Sequence, residues 1–225
     1  MIVQVSRESI EHWNTLHSQP RFRPQYPSEH VVRFLMNHFP PEQRLSERAL
    51  DIGMGGGRHT KLLCELGFQT YGVDISDEGL RHCHAWLDSL HYRATLQRAS
   101  MGDLPFARGF FDLAISFGVY YYADAAGMAR AVAELHRVLA RGGRALVVLR
   151  TLDDYRYGKG IALEENTFRL EIEDTNECGT VQHFVEASDV PILFQEFSEV
   201  QFETTETTFH ERRAANSDWL ITVRK

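Results

Sequence analysis

An acidic residue and three glycines near residue 50 have the spacing of a turn that binds a small ligand. Asp51 is followed by Gly53, Gly55 and Gly57 in the order acid-x-Gly-x-Gly-x-Gly. Because glycine tolerates positive φ at little steric cost, the backbone can fold sharply here and approach a ligand closely. Free N–H groups at the start of a following helix can then bind an anionic or polar group. A carboxylate at Asp51 suits a ligand that carries an ammonium group.

The same glycines do not match the dinucleotide-binding pattern Gly-x-Gly-x-x-Gly. The third glycine of that pattern lets the helix pack closely on its strand, and Arg58 stands at this position here. The difference counts against a nicotinamide- or flavin-dependent oxidoreductase. That class nevertheless remains an alternative, since it uses a similar sheet.

Two further acidic residues follow at informative distances. Asp74 comes directly after the predicted strand 69–73 and lies 21 residues after Gly53. A carboxylate at the end of such a strand can accept hydrogen bonds from both hydroxyls of a ribose. Asp103 lies in the run Gly-Asp-Leu-Pro-Phe at 102–106. In a parallel sheet, these acids would meet at the rim formed by the carboxyl ends of the strands.

The runs 48–60 and 71–76 resemble motif I and the acidic loop of the class I S-adenosylmethionine (SAM)-dependent methyltransferases, and 101–106 is similar to the family's adenine-binding loop. The resemblance implies SAM as the cofactor, with S-adenosylhomocysteine as the product. It implies in-line transfer of a methyl group to an O or N atom of a small molecule. A protein that binds SAM without catalysis is the alternative within this resemblance.

The resemblance also implies roles for residues around the adenosyl group. The carboxylate of Asp103 would accept a hydrogen bond from the exocyclic amine of adenine, and the N–H of Leu104 would face its ring. Ile75 would offer the adenine an apolar edge. Phe117 ends the run 110–117, which resembles the family's fourth strand, whose end reaches the transferring methyl group.

A proline-rich segment, 20–27, is expected to fold over the cofactor, as a segment of this kind does in related methyltransferases. Arg23 or Arg21 could then pair with the methionyl carboxylate, because a guanidinium meets a carboxylate bidentately. Tyr26 could close the site. Arg58, at the start of the helix, would shape the methionine end.

Methyl transfer from a sulfonium needs no enzyme nucleophile, since the donor is already activated and the protein mainly has to align the reacting atoms in a dry site. An oxygen or nitrogen acceptor must also lose a proton, which a base could take. The candidate catalytic residues are Tyr120 and Tyr121, next to Tyr122 after the fourth strand, and His183 in a predicted lid. For a histidine such as His183 or His210, a structural role is the commoner outcome.

Hydrophobic periodicity predicts an α/β fold: a doubly wound, mostly parallel seven-stranded sheet that the resemblance completes with a C-terminal antiparallel hairpin. Beyond the strand at the glycine run, we expect strands at 69–73, 94–99, 110–117, 144–149, 167–173, 178–185, 200–209 and 218–223, with the two at 167–173 and 178–185 paired as a lid hairpin. We expect helices at 8–18, 28–39, 61–66, 77–90 and 187–197, and one that begins at Asp124 and ends at Gly142 and Gly143.

Three regions follow from this pattern. Residues 1–45 form an N-terminal helical cap, 46–150 the SAM-binding α/β core, and 151–225 the substrate lid and the closing strands of the same domain.

Charge and composition limit the classes of molecule that the protein is expected to bind. The net charge is −7, and residues 151–225 carry 16 acidic against 7 basic residues, or −9, which leaves +2 for residues 1–150. An acidic C-terminal third gives no electrostatic footprint for nucleic acid and favours a neutral or cationic small-molecule acceptor. The sequence shows no signal-peptide pattern, no membrane-spanning run and three cysteines without metal-like spacing, which predicts a cytoplasmic protein with neither a membrane partner nor a metal. The oligomeric state is open.

Overall fold

The computed structural model describes residues 6–173 and 175–225. Residues 1–5 of the predicted cap and Asp174 of the predicted lid lie outside this range. The helices are α1 (Arg7–His17), α2 (Glu29–His38), α3 (Pro41–Arg44), α4 (Arg58–Glu65), α5 (Asp77–Ser89), α6 (Ala125–Val138) and α7 (Asp189–Leu193). The strands are β1 (Arg48–Ile52), β2 (Gln69–Asp74), β3 (Thr95–Arg98), β4 (Phe111–Phe117), β5 (Leu139–Arg150), β6 (Gly160–Glu164), β7 (Thr167–Leu170), β8 (Val181–His183), β9 (Glu199–Phe209) and β10 (Ala214–Arg224).

Seven strands form the central sheet in the order β3-β2-β1-β4-β5-β10-β9. The first five are parallel, and the hairpin of β9 and β10 joins them antiparallel. This confirms the predicted fold class. Asp51 on β1 pairs with Gly72 on one side and with Ile115 on the other, so the carboxyl ends of three neighbouring strands lie at one rim.

Burial explains why these segments form a sheet between helices. Four of the five residues of β1 are buried, as expected of a parallel strand that is covered on both faces. In α6 the buried residues follow helical spacing, and the side chain of Asp124 caps the helix by accepting a hydrogen bond from the N–H of Gly127. Ser28 caps α2 in the same way. Both caps agree with the sequence pattern.

The prediction that α6 ends at Gly142 and Gly143 is wrong. The helix ends at Val138, and β5 begins at the next residue. The register between β4 and β5 shifts after Phe111, so the two glycines lie in a bulge of the strand. Gly142 has a φ of +82°, which glycine adopts at little cost.

A second, three-stranded sheet lies between β5 and α7 in the chain. The predicted pairing of its last two strands is confirmed, since Thr167 pairs with His183 and Phe168 with Gln182. Strand β6 was not predicted, because the segment 160–164 is almost entirely exposed and shows no buried face. We call this three-stranded sheet, together with the 171–180 connection, the lid.

Candidate functional site

A cavity of about 640 Å³ opens at the carboxyl rim of the parallel strands. Its floor is the glycine turn and the start of α4, one wall is α1, and the opposite wall is the lid. Residues from these three regions that line it include Trp13 and His17 from α1, Gly53, Gly55 and Arg58 from the floor, and Cys178, Thr180 and Val181 from the lid.

The glycine turn leaves no room for side chains. Gly55 has a φ of +53° and Gly57 a φ of +90°, a region that other residues enter only with strain. A Cβ at Gly57 would collide with the thiol of Cys83. The N–H groups of Gly53 and Met54 both donate to the carbonyl of Val73, which fixes the turn against β2.

Asp51 lies beneath the turn. Its carboxylate is buried and accepts a hydrogen bond from the hydroxyl of Thr60 at 2.7 Å. Burial raises the pKa of Asp51 to about 6, although the hydrogen bond from Thr60 and the charge of Arg58 act in the opposite direction. Asp51 therefore supports the glycine turn from below.

Asp74, at the end of β2, lines the cavity and ties two loops together. One carboxylate oxygen accepts from the N–H of Gly55 and the other from the N–H of Ser76, each at 2.8 Å. Burial raises the pKa of this group, and the charge of His17 opposes that rise. The Asp74 side chain is thus held in one orientation at the corner between the glycine turn and α5.

Arg58, the first residue of α4, presents its guanidinium to the cavity. The guanidinium lies 5.4 Å from the centre of the Phe117 ring, and within residues 6–173 and 175–225 it makes no hydrogen bond or ion pair. Burial lowers the pKa of Arg58, an effect that Asp51 opposes. This cationic group is available to an anionic part of a ligand.

His59 lies next to Arg58 and is buried. Its Nε2 accepts a hydrogen bond from the N–H of Ser28 at 3.2 Å. Burial, with a contribution from Arg58, lowers the pKa of His59 to about 3. The ring is therefore neutral at physiological pH, and it joins the start of α2 to the cavity floor.

A buried ionic cluster holds the lid. The carboxylate of Glu177 accepts hydrogen bonds from Arg150 at 2.5 Å, from Arg156, and from the hydroxyl of Tyr122 at 2.7 Å. Burial alone would raise the pKa of Glu177, but the two guanidinium groups outweigh it and lower the pKa. Because Tyr122 lines the cavity, the cluster connects the lid directly to the ligand space.

Helix α1 closes the remaining side. The ring of Trp13 packs edge-on against Tyr122, with ring centres 4.8 Å apart. The Nε2–H of His12 donates to the carbonyl oxygen of Asn176 in the lid at 3.1 Å. Aromatic side chains from α1 and from the loop after β4 therefore form the part of the cavity beneath the lid.

Residues 50–147 match the family of methyltransferase domains. This part of the chain, 98 of 225 residues, is therefore similar to methyltransferase domains. Human mitochondrial ubiquinone biosynthesis O-methyltransferase is 33% identical over 75 residues, which are 32% of this chain and 20% of that protein. Malonyl-(acyl-carrier protein) O-methyltransferase of Legionella pneumophila is 26% identical over 167 residues, 70% of this chain and 55% of that protein. The chain thus spans less than two thirds of the length of either relative.

The methyltransferase fold is also found among solved structures. A SAM-dependent methyltransferase of Methanosarcina mazei superposes with a TM-score of 0.72 at 21% identity, covering 85% of this chain and 96% of the other. At this identity the likeness concerns the fold. Within the described residues, no helix is long and apolar enough to cross a membrane, and no group of side chains has the arrangement of a metal site.

Six of the residues predicted to bind the cofactor line the cavity. They are Gly53, Gly55, Arg58, Asp74, Ile75 and Phe117. All six lie in the glycine turn, at the start of α4 or at the ends of β2 and β4. Asp51, on β1, and Gly57, the last glycine of the turn, do not line the cavity.

The N-terminal prediction needs correction at two residues. The guanidinium of Arg23 forms a hydrogen bond with Nδ1 of His82 at 2.9 Å, so it faces α5 and is not part of the cavity wall. Tyr26 is 83% exposed and does not line the cavity. The segment that closes the cavity is α1, aided by Phe22 and Pro24.

The predicted adenine contacts also differ. The N–H of Leu104 donates to the carboxylate of Glu134 at 2.8 Å, so it is not free to face a ring. Arg137 holds Glu134 and also donates to the carbonyl of Leu104. Asp103 is exposed in the adjacent turn. The neighbouring residues that do line the cavity are Ala99, Ser100 and Met101.

None of the three predicted catalytic residues lines the cavity. Tyr120 is completely buried in the core, and burial raises the pKa of its hydroxyl. Tyr121 is buried beneath Arg150, whose guanidinium lies 4.2 Å from the ring centre. Nδ1 of His183 is hydrogen-bonded to the hydroxyl of Thr167 at 2.7 Å. Of the tyrosine triplet, Tyr122 is the member beside the cavity.

Sequence reasoning missed the contribution of α1. The sequence predicts a helix at 8–18 but gives Trp13 and His17 no role at the site. The signal was the polar and aromatic character of two residues one turn apart on an otherwise apolar stripe.

Proposed function

We propose that this chain binds SAM in the cavity and transfers its methyl group to an O or N atom of a small molecule. One observation carries the proposal: the glycine turn, Asp74 and Phe117, which are distant in sequence, line one cavity at the carboxyl ends of parallel strands. The match of residues 50–147 to methyltransferase domains and the position of the cavity support it, since ligands of such sheets bind at this rim.

The fit to SAM rests on the glycine turn, on a fixed carboxylate and on a cation without a partner among the described residues. The glycine turn provides a cradle that a side chain would fill. Asp74 would accept hydrogen bonds from the sugar hydroxyls. Arg58, rather than Arg23, would bind the methionyl carboxylate, because its guanidinium is at the cavity and without a partner in the described part of the chain.

When bound, SAM supplies an activated methyl group on sulfur, so the protein has to align the acceptor and exclude water. Trp13, Tyr122 and the lid would enclose the acceptor. A base is required only if the acceptor carries a proton at the reacting atom. His12 suits this role better than His183, because its Nε2–H is donated to Asn176 and Nδ1 therefore keeps its lone pair.

The acceptor is proposed to be a neutral or cationic small molecule. The excess of acidic residues in the C-terminal third supports this choice, and it also argues against nucleic acid. The two curated relatives described above are named as O-methyltransferases, which makes an oxygen atom the first acceptor to examine. We propose a cytoplasmic protein that acts without a membrane partner.

Isothermal titration calorimetry tests the cofactor assignment. SAM and S-adenosylhomocysteine should bind, and NADH should not. Asp74→Ala should weaken S-adenosylhomocysteine binding by about 1.5–3 kcal/mol, the scale of hydrogen bonds to a charged group. Asp103→Ala is the matched control and should leave the affinity unchanged, because Asp103 lies outside the cavity. NADH binding without SAM binding would refute the proposal.

Catalysis is tested by a panel of hydroxyl- and amine-bearing small molecules with radiolabelled SAM. Turnover of at least one acceptor is expected. With that acceptor, His12→Gln should lower kcat and leave KM nearly unchanged. Binding of SAM without any turnover would favour a SAM-binding protein that is not an enzyme.

A further inference from the structure

His17, the last residue of α1, occupies a slot between two glycines. A Cβ at Gly55 would lie 3.2 Å from Nε2 of the imidazole, and a Cβ at Gly79 would lie 2.9 Å from Nδ1. Both distances are shorter than ordinary van der Waals contact. The ring fits because neither position carries a side chain, and it is only 8% exposed.

The buried ring is not satisfied by the protein. Its Nδ1 is inaccessible to solvent and has no hydrogen-bond partner among residues 6–173 and 175–225. Buried polar atoms are normally paired, and an unpaired one costs about 1–3 kcal/mol. His17 also lines the cavity, with Nε2 on the side of Gly55. Nε2 also makes no hydrogen bond to the described residues, so it is the atom of this ring that a ligand in the cavity can reach.

The same corner of the cavity contains Asp74. The N–H of Gly55 donates to the carboxylate of Asp74 at 2.8 Å, so the imidazole, the glycine turn and the carboxylate surround one space. Burial lowers the pKa of His17; Asp74 opposes this, and the charge of Arg23 adds to it. The imidazole is therefore neutral, with one nitrogen as a donor and the other as an acceptor.

The position of the ring is fixed by the residue one turn before it. The side-chain oxygen of Asn14 accepts hydrogen bonds from the hydroxyl of Ser76 at 2.9 Å and from the N–H of Glu78 at 3.2 Å. These groups begin α5, directly after the loop that carries Asp74. Helix α1 is thus anchored on the acidic loop, and His17 is held at a set distance from Asp74.

We propose that His17 is a second sugar-binding residue, whose imidazole hydrogen-bonds one hydroxyl of the ribose while Asp74 binds the other. The sugar subsite is then assembled from two regions, the end of β2 and the end of α1. This inference rests on the proposed function, because it requires an adenosyl ligand in the cavity.

The test measures binding of S-adenosylhomocysteine and of its 2′-deoxy and 3′-deoxy forms by calorimetry. Wild-type protein should prefer the full ligand over both deoxy forms. In His17→Phe the preference over one deoxy form should fall about three- to tenfold, as expected for the loss of one neutral hydrogen bond, and the other preference should remain. His17→Gln, which can still hydrogen-bond, should keep part of the lost preference.

His82→Phe is the matched control, because it makes the same substitution at a nearby histidine that does not line the cavity. It should leave both preferences as they are in the wild type. If His17→Phe keeps both preferences, or if His82→Phe changes them equally, His17 does not contact the sugar. Equal binding of all three ligands by wild-type protein would also overturn the inference.

Failure of wild-type protein to bind S-adenosylhomocysteine at all would instead refute the proposed function. Because the wild-type comparison needs no variant, the inference stays testable even if His17→Phe does not fold.

Discussion

The floor and the lid of the cavity each bury a carboxylate, and the two surroundings shift its pKa in opposite directions. Beneath the glycine turn, Asp51 has a hydroxyl as its hydrogen-bond partner, and burial raises its pKa to about 6. Beneath the lid, Glu177 has two guanidinium groups, and its pKa is lowered. At neutral pH the floor therefore buries a carboxylate that has no ion-pair partner among the described residues, whereas the lid carboxylate is stabilised in its charged form by two ion pairs.

The two carboxylates also differ in how far along the sequence their hydrogen-bond partners lie. Thr60 is nine residues from Asp51, in the same turn-and-helix unit. Arg150 and Arg156 are 27 and 21 residues from Glu177 and reach it only when the lid has folded onto the sheet. The floor is a local structure, and the lid is a long-range one.

The largest expected effect comes from breaking the lid cluster. Glu177→Ala should destabilise the protein by about 3–5 kcal/mol, because it leaves the guanidinium groups of Arg150 and Arg156 buried without a counter-charge. Urea unfolding gives the free energy. Glu171→Ala, which removes an exposed carboxylate from the same connection, should change it by less than about 0.5 kcal/mol. Equal effects of the two variants would mean that the ionic cluster does not hold the lid.

A glycine substitution tests whether the floor is limited by space. Gly57→Ala should destabilise the protein by about 2–4 kcal/mol, because the methyl group adds a collision with Cys83 to the strain of a positive φ. Gly142→Ala has a similar φ and no atom within 4 Å of the new methyl group, so only the strain remains, about 1 kcal/mol. Thermal unfolding of both variants compares them. If Gly57→Ala loses no more stability than Gly142→Ala, the side chain of Cys83 moves aside for the new methyl group.

The pH dependence of stability separates the two buried carboxylates. Since the folded pKa of Asp51 lies above its ordinary value of 3.8, at about 6, its contribution is present below pH 4 and is lost as the pH rises to 6, by about 2–3 kcal/mol. The lowered pKa of Glu177 has the opposite sign, and its contribution is lost as the pH falls.

Asp51→Asn should remove the first of these contributions, since an amide oxygen can still accept from Thr60. Urea unfolding of wild type and variant across pH 4–8 should show the variant gaining stability relative to the wild type as the pH rises. Asp103→Asn, at an exposed carboxylate, should run parallel to the wild type. A constant difference between Asp51→Asn and the wild type would mean that Asp51 is not a buried charge at neutral pH.

The sequence predicted the floor well because its signals are short-range. The acid, the glycines and the start of α4 occupy eight consecutive positions, and strand order follows from the rules of parallel sheets. It failed at Leu104, since no pattern near 104 shows that Glu134, one strand and one helix later, would take its N–H. Competition by a distant side chain leaves no local signature.

The lid was predicted as a hairpin over the substrate, but the lid residues that line the cavity were not identified. Pairing of β7 with β8 follows from alternation of side chains, yet β6 is an exposed strand without such a pattern. The tyrosine triplet shows the limit most clearly: all three side chains are alike, and only the turn after β4 decides that Tyr122 lines the cavity while Tyr120 fills the core. Burial of one ring rather than another depends on tertiary packing.

The smallest expected effect concerns Arg58, which is proposed to bind the methionyl carboxylate of the cofactor. Arg58→Gln should weaken S-adenosylhomocysteine binding by about 2 kcal/mol, within the range for hydrogen bonds to a charged group. It should leave binding of 5′-methylthioadenosine, which lacks the carboxylate, nearly unchanged. Arg23→Gln is the control, because its guanidinium pairs with His82, and both affinities should then match the wild type. Calorimetry of the two ligands on the two variants decides which region supplies the cation. If Arg23→Gln alone weakens S-adenosylhomocysteine, the N-terminal segment must turn inward on binding. The cation that binds the methionyl carboxylate would then come from the N-terminal segment. In that case the floor would not be a self-contained local structure.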